Sequence, residues 1–287
     1  MEININGKAA DITLESEKTV GEVLMGIQQW LSELGLFVSG LTIDGKAYGS
    51  RSMDDAFILS LENLSSLDIK TSGWADLMME ALLGLKEDLV FYESQNSEER
   101  QNSRQHWEKS APALFFREHD PDLYQTALKT LDGVSFSPAE TMALVLERIR
   151  EIENPAREMA ALSPLSEEIA KRLEDLPLDM QTGKDPRAAE TITLFSSLVE
   201  KLFRIIVLIK YFGTDIESIE VPQMDGFEKT NLKEFITDFS AALKEIISAY
   251  ENKDTILVGD LAEYELSPRL RALTSALCGI KPERRPV

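Results

Sequence analysis

SSLDIKTSGWADLMMEAL, residues 65–82, is the stretch on which the reading of this chain turns. Leu67 and Ile69 alternate with Asp68 and Lys70, the period-two pattern of a strand with one apolar face. From Trp74 the period changes. Trp74, Leu77, Met78, Ala81 and Leu82 recur at three- and four-residue spacing, and Leu85 and Leu89 continue the stripe toward Tyr92. That spacing predicts an amphipathic helix. Before the joint at Gly73 the chain reads as short strands with one helix, and after it almost everything reads as helix. The expected fold class is α+β, with a small domain over residues 1–72 and an all-α domain over residues 73–287.

Upstream of that joint, Glu2 to Ile5 alternates and Asn6-Gly7 supplies a tight hairpin turn, since both residues tolerate positive φ. Residues 9–14 alternate again as the return strand. Thr19 precedes a helix and Glu22 stands three positions on, the pattern of a capping box. Val20, Val23, Leu24, Ile27, Leu31 and Leu34 form one apolar face, and Gly35 is the stop. Leu41 and Ile43 begin another strand, Asp44-Gly45 turns it and Ala47-Tyr48 returns. Ser52-Met53-Asp54-Asp55 starts a short helical turn before the closing strand at residues 67–70.

The order strand, strand, helix, strand, strand, short turn, strand resembles the ubiquitin-like β-grasp fold. Thr42-Ile43 followed by Gly45-Lys46, Met53-Asp54-Asp55 and Ser65-Ser66-Leu67 fall where that family has similar residues. The resemblance covers about a quarter of the chain and implies fold more than role. Two departures narrow it. No diglycine follows Lys70, so conjugation and sulfur-carrier chemistry, which need a free flexible tail, are not expected. The positions matching the family's apolar recognition patch are Thr42 and Lys70, both polar. The domain is therefore expected either to dock a partner through another face or to pack on its own helical domain.

Composition sets wider bounds. The 287 residues are 43% hydrophobic, which is enough for real cores, and carry a net charge of −20. Acid is in excess in both parts of the chain. Such a surface repels phosphate backbones, so no nucleic-acid partner is expected. The one basic cluster is Lys281, Arg284 and Arg285. A single cysteine, Cys278, cannot form an internal disulfide, which fits a reducing, cytoplasmic setting; it is expected to pack as a small apolar residue. Met1-Glu-Ile-Asn-Ile reads as a strand, not a leader. The most apolar stretch, residues 202–209, is interrupted by Arg204 and closed by Lys210, too short for a membrane span.

In the remainder, the polar run 93–103 has no apolar face and reads as a loop or a solvated helix end. Asp120-Pro121 opens a helix that Asp132-Gly133 ends. Ser137-Pro138-Ala139-Glu140 opens the next, which ends before Pro155. Prolines at 155, 164, 177 and 186 are expected to break the region into short pieces. The polar linker 181–186 marks a possible subdivision near residues 181–187. Helices over residues 188–212, 229–250 and 254–277 then close a small antiparallel bundle, with 188–212 the most buried.

Candidate chemistry is sparse. Asp260 and Glu263 share a helix face at i, i+3, beside Tyr264 and Arg269, and Ile256, Leu257, Leu261 and Leu270 surround them in sequence. A carboxylate there must find a donor or shift its pKa upward. These four residues are the speculative partner or ligand site. The acids are otherwise expected to pair with Arg269, Arg271 or Lys210. His106 and His119 stand thirteen apart with no cysteine nearby, so no metal is expected. Trp107, Phe115 and Phe116 form either a partner patch or packing. No phosphate-binding glycine loop, dinucleotide fingerprint or nucleophile elbow is present, and no cofactor is expected. The expected function is a non-enzymatic cytoplasmic adaptor or scaffold whose partner is another protein. The alternative is a small-ligand protein or enzyme with its site near Asp260 and Glu263. A homo-oligomer through helix 188–212 is left open.

Overall fold

A computed structural model of the chain describes residues 1–14, 16–48, 53–133, 136–222 and 230–280. The basic cluster at Lys281, Arg284 and Arg285, the predicted helix start at Ser52 and the first predicted residue of helix 229–250 lie outside the described residues. The chain divides into two compact units, residues 1–152 and residues 153–285.

The first unit opens with β1 (Glu2–Ile5), β2 (Lys8–Ala9), α1 (Val20–Glu33), β3 (Leu36–Ile43), β4 (Lys46–Tyr48), a short helix α2 (Met53–Phe57) and β5 (Ser66–Gly73). The strands form one mixed sheet in the order β2-β1-β5-β3-β4. The β1 to β5 pair is parallel and the other pairs are antiparallel. Both predicted hairpin turns are present: Asn6 and Gly7, and Asp44 and Gly45, hold positive φ, as a two-residue turn with right-handed twist requires. Asp44 also accepts hydrogen bonds from the backbone N–H groups of Ser65 and Ser66 at 2.9 and 2.8 Å, tying that turn to the start of β5. The Thr19–Glu22 capping box forms. Val20, Val23, Leu24, Ile27 and Leu31 of α1 are buried against Ile3, Leu41, Ile43, Leu67 and Ile69 of the sheet. Leu34, predicted on the same stripe, is exposed because α1 ends before it.

No linker separates sheet from helices. β5 ends at Gly73 and α3 (Trp74–Glu93) starts at the next residue. The polar run after it contains the start of a helix, α4 (Ser97–Glu108). Asn96 accepts from the N–H groups of Glu98 and Glu99 while Glu99 answers with its side chain, a capping box that holds a helix with little apolar face. α5 (Ala111–His119), α6 (Pro121–Leu131) and α7 (Pro138–Glu153) follow. Trp107 and Phe116 are buried and Phe115 is half-buried, so the aromatic cluster packs inward. Arg148 of α7 bonds the buried side of Asp120 at 3.0 Å.

The second unit holds α8 (Pro155–Gln181), α9 (Asp185–Tyr211), a two-stranded hairpin β6 (Glu220–Val221) and β7 (Thr230–Asn231), α10 (Leu232–Glu251), α11 (Thr255–Asp260), a π-helical turn (Leu261–Leu266) and α12 (Ser267–Cys278). The prolines do not break residues 155–181 into pieces: α8 is one helix of 27 residues with Pro164 and Pro177 inside it. An internal proline costs about 3 kcal/mol in an isolated helix. Here α8 packs along its length on α9, α11, the π turn and α12, and burial of Ile169, Leu173 and Leu176 outweighs the local cost. Pro177 faces Gly259, where any Cβ would stand 3.1 Å from the proline ring. Residues 182–184 make the turn between α8 and α9. The apolar stripe of α9, from Phe195 to Ile209, is buried within this unit's own core. Cys278 is exposed, not packed, with its Sγ 3.5 Å from the carbonyl of Met159. Among the described residues, no helix is long and apolar enough to cross a membrane.

Candidate functional site

Helix α1 has a groove along each flank. One, of about 430 Å³, lies between α1 and the extended segment after β2; Ile5, Ala10, Asp11, Ile12, Leu14, Glu17, Val23, Gly26, Ile27 and Trp30 line it. The other, of about 370 Å³, is lined by Leu24, Met25, Gln28, Val38 and Phe57. Both follow from a helix narrower than the sheet it crosses. Val23 and Ile27 reach the core from one side of the helix and Leu24 from the other, and the residues just outside that stripe border the grooves. Trp30 is 52% exposed and Met25 62% exposed. A large exposed aromatic next to an apolar groove is the kind of feature that marks an interaction surface.

The two grooves differ in how their strand edges end. At the second, Gln28 reaches the start of β3. Its Oε1 accepts from Val38 N–H at 3.0 Å and its Nε2 donates to Leu36 carbonyl at 3.4 Å. That edge is capped by a side chain. At the first groove no side chain plays this part among the described residues.

Gly26 lies at the wall of the first groove, in the middle of α1. A Cβ added there meets nothing within 4 Å. Packing does not require glycine, and a mid-helix glycine is less favourable than alanine by roughly 1 kcal/mol. Gly26→Ala is therefore expected to raise the stability of the chain by about 0.5–1 kcal/mol. Urea unfolding followed by circular dichroism measures this; a loss of stability would mean that Gly26 has a packing role.

The residues singled out from sequence in the second unit sit on or beside the π turn. Asp260 and Tyr264 are exposed, Glu263 is half-buried, and the Arg269 side chain is 13% exposed. Arg269 pairs with Glu265 one turn back. Burial lowers its pKa, with Asp238 opposing. The hydrogen bond to Glu263, with the charge of that carboxylate, pushes the Tyr264 hydroxyl up. None of the four lines either α1 groove, the groove on α3 or the groove between α8, α9 and α10. The π turn itself has a local cause. Pro268 has no N–H and its ring would meet the carbonyl four residues back in a regular helix; the wider turn, with Ser267 N–H bonding Ala262 carbonyl, avoids this.

Sequence reading missed the main polar network of this unit. Arg271 is held by two carboxylates of α8. It donates to both oxygens of Glu167, at 2.8 and 3.1 Å, and to Glu174, which also accepts from Ser267 Oγ at 2.9 Å. The partners lie about a hundred positions apart in the chain, so no local pattern announces them. Deeper in the same seam, the hydroxyls of Ser166 and Thr274 bond at 2.6 Å. Hydrogen bonding to Arg271 lowers the pKa of both carboxylates, against their partial burial.

A carboxyl whose folded pKa lies below its unfolded value contributes stability above the unfolded value, about 4.3 for glutamate, and loses it as pH falls through the folded value. The melting temperature is expected to drop on acidification below about pH 4.5, and less steeply in Arg271→Met. Side-chain exposures of 46% for Glu167 and 40% for Glu174 keep this contribution small. Equal acid slopes in the two proteins would remove the network from the account. Among the described residues, no group of three His, Cys, Asp or Glu side chains is placed to hold a metal ion.

Comparison with known proteins covers both regions. Residues 1–73 match the TP0873 N-terminal domain. Residues 158–276 match a domain of unknown function, DUF8042. An uncharacterized protein of Treponema pallidum (strain Nichols) is 22% identical over 277 residues, covering 96% of this chain and 96% of its own. No solved structure matches. The first match takes in the whole five-stranded sheet with both α1 grooves, and the second runs from α8 into α12.

Proposed function

We propose that this chain is a non-enzymatic, cytoplasmic protein–protein interaction adaptor, and that its docking site is the flank of α1 that carries Trp30. The sheet order β2-β1-β5-β3-β4 with one crossing helix supports a ubiquitin-like module over residues 1–72, used without a tail. Within the first unit this module is a fixed head. Phe37 of β3, Trp74 at the start of α3, and Phe115 and His119 of α5 stack in one cluster, with ring centroids 4.4 to 6.4 Å apart. A head held this way presents α1 in a constant orientation.

The observation that carries the reading is the 430 Å³ apolar groove beside a half-exposed tryptophan. Tryptophan in such a position is the residue type most enriched where binding energy concentrates. The net charge of −20 favours a protein partner over a nucleic acid. The alternative, a ligand or reaction site at Asp260, Glu263, Tyr264 and Arg269, has less support. Two of those side chains stand in solvent, and Arg269 is committed to Glu265.

Affinity capture from native cell extract tests the choice, using the full chain beside Trp30→Ala and Tyr264→Ala. Specific partners are expected to be lost with Trp30→Ala and kept with Tyr264→Ala. Loss with Tyr264→Ala alone would move the site to the π turn.

A further inference from the structure

We infer that the groove between residues 10–14 and α1 takes an extended strand from a partner protein, apolar at alternate positions and carrying lysine or arginine between them. This rests on the docking reading above and adds the chemistry of the occupant.

The first ground is backbone hydrogen bonding. β2 is the outermost strand of its sheet, and only Lys8 and Ala9 pair with β1. Beyond them, Ala10 N–H still reaches Ile3 carbonyl at 2.8 Å and Ile12 N–H reaches Ala10 carbonyl at 3.0 Å. Among the described residues, the N–H groups of Asp11 and Thr13 donate to no backbone acceptor. Asp11 and Thr13 are exposed while Ala10, Ile12 and Leu14 are half-buried, the alternation of an extended segment with one face on the core. An edge with unused amides is a template for another strand. On the opposite flank of α1 the corresponding edge is closed by Gln28. The open edge and the larger groove thus coincide.

The second ground is Gly26. Its missing side chain leaves the helix wall of this groove bare, and among the described residues a Cβ there would meet nothing within 4 Å. Glycine without a packing or dihedral need is the residue that lets a second backbone come close.

The third ground is charge. Among the described residues, Asp11 and Glu17 are the charged residues that line the groove, and no lysine or arginine lines it. Trp30 offers the face of an exposed indole. Asp11 stands on the face opposite to Ala10 and Ile12, so in an added strand it meets the side chains that lie between the apolar ones, and a carboxylate there selects lysine or arginine.

Two short peptides serve as probes, one alternating lysine with valine and one alternating glutamate with valine. Each is titrated into the isotope-labelled full chain and followed by two-dimensional NMR. The lysine peptide is expected to shift the amide resonances of residues 10–14 and of α1, and to weaken as salt rises. The glutamate peptide is expected to leave them in place. Gly26→Leu should weaken the lysine peptide by about tenfold or more without lowering the melting temperature, because a Cβ at 26 meets nothing within 4 Å and the rest of the side chain extends into the open groove. Equal responses to the two peptides overturn the inference. So do shifts scattered over the acidic surface that Gly26→Leu leaves unchanged, or no response to either peptide. If the inference falls while Trp30→Ala still loses the captured partner, the occupant is not a basic strand but the docking reading survives. If Trp30→Ala also keeps every partner, the docking reading falls as well.

Discussion

Trp74→Ala is expected to cost the chain about 3–5 kcal/mol, the range for removing a large buried aromatic. Trp74 is 7% exposed and is the first residue of α3, directly after β5. Its ring meets His119 edge-on at 6.2 Å and Phe115 at 6.4 Å, and both of those contact Phe37 of β3. The cluster is the seam between the sheet and α5, so its loss removes packing from both sides at once. Burial lowers the pKa of the His119 imidazole, so the neutral ring is the form that fits this seam. Urea unfolding read by circular dichroism and by amide exchange checks the expectation. Exchange protection should fall together in the sheet and in α3 and α5. A loss under about 1 kcal/mol, or protection lost in the sheet alone, would show a head not seated on its helices.

Phe239→Ala is expected to have a comparable effect in the second unit, again about 3–5 kcal/mol. Phe239 is fully buried in α10 and packs against Phe195, Phe203 and Phe235 at centroid distances of 6.4, 6.2 and 6.1 Å. These rings come from α9 and α10, and the cavity left behind has α-helical walls that cannot collapse freely. The same denaturation experiment reads it. A change under about 1.5 kcal/mol would mean that the core repacks around the gap.

The parts legible in the sequence are the local ones. Asn6-Gly7 and Asp44-Gly45 dictate their turns because few other residues adopt positive φ, and Thr19 with Glu22 dictates a helix start. Each signal spans four residues or fewer and needs no tertiary help. The change from strand to helix at Gly73 followed from a change of period and stands in the structure. What failed to read was set by contacts between distant residues. Pro164 and Pro177 argued for breaks, yet α8 is continuous because its neighbours, Gly259 among them, accommodate the prolines. The capping box at Asn96 and Glu99 was readable but was masked by the lack of an apolar face in α4. Arg271 was named as a partner for acids, but the acids are Glu167 and Glu174 of α8, not Asp260 and Glu263. Spacing along one helix cannot report which carboxylate a second helix brings. The α1 flank was half legible. The apolar stripe was read correctly from Val20 to Leu31, but Trp30 and Gly26 fall off it, and only the fold shows them bordering one groove.

Position 30 therefore bears most directly on the function. A photo-reactive benzoylphenylalanine in place of Trp30, irradiated in living cells, reports what touches that flank of α1; the same residue at position 264 reports the π turn. The expected result is a discrete cross-linked protein from position 30 and none from position 264. Cross-links from position 264 with position 30 silent would contradict a docking site on α1 and return the search to the helical unit.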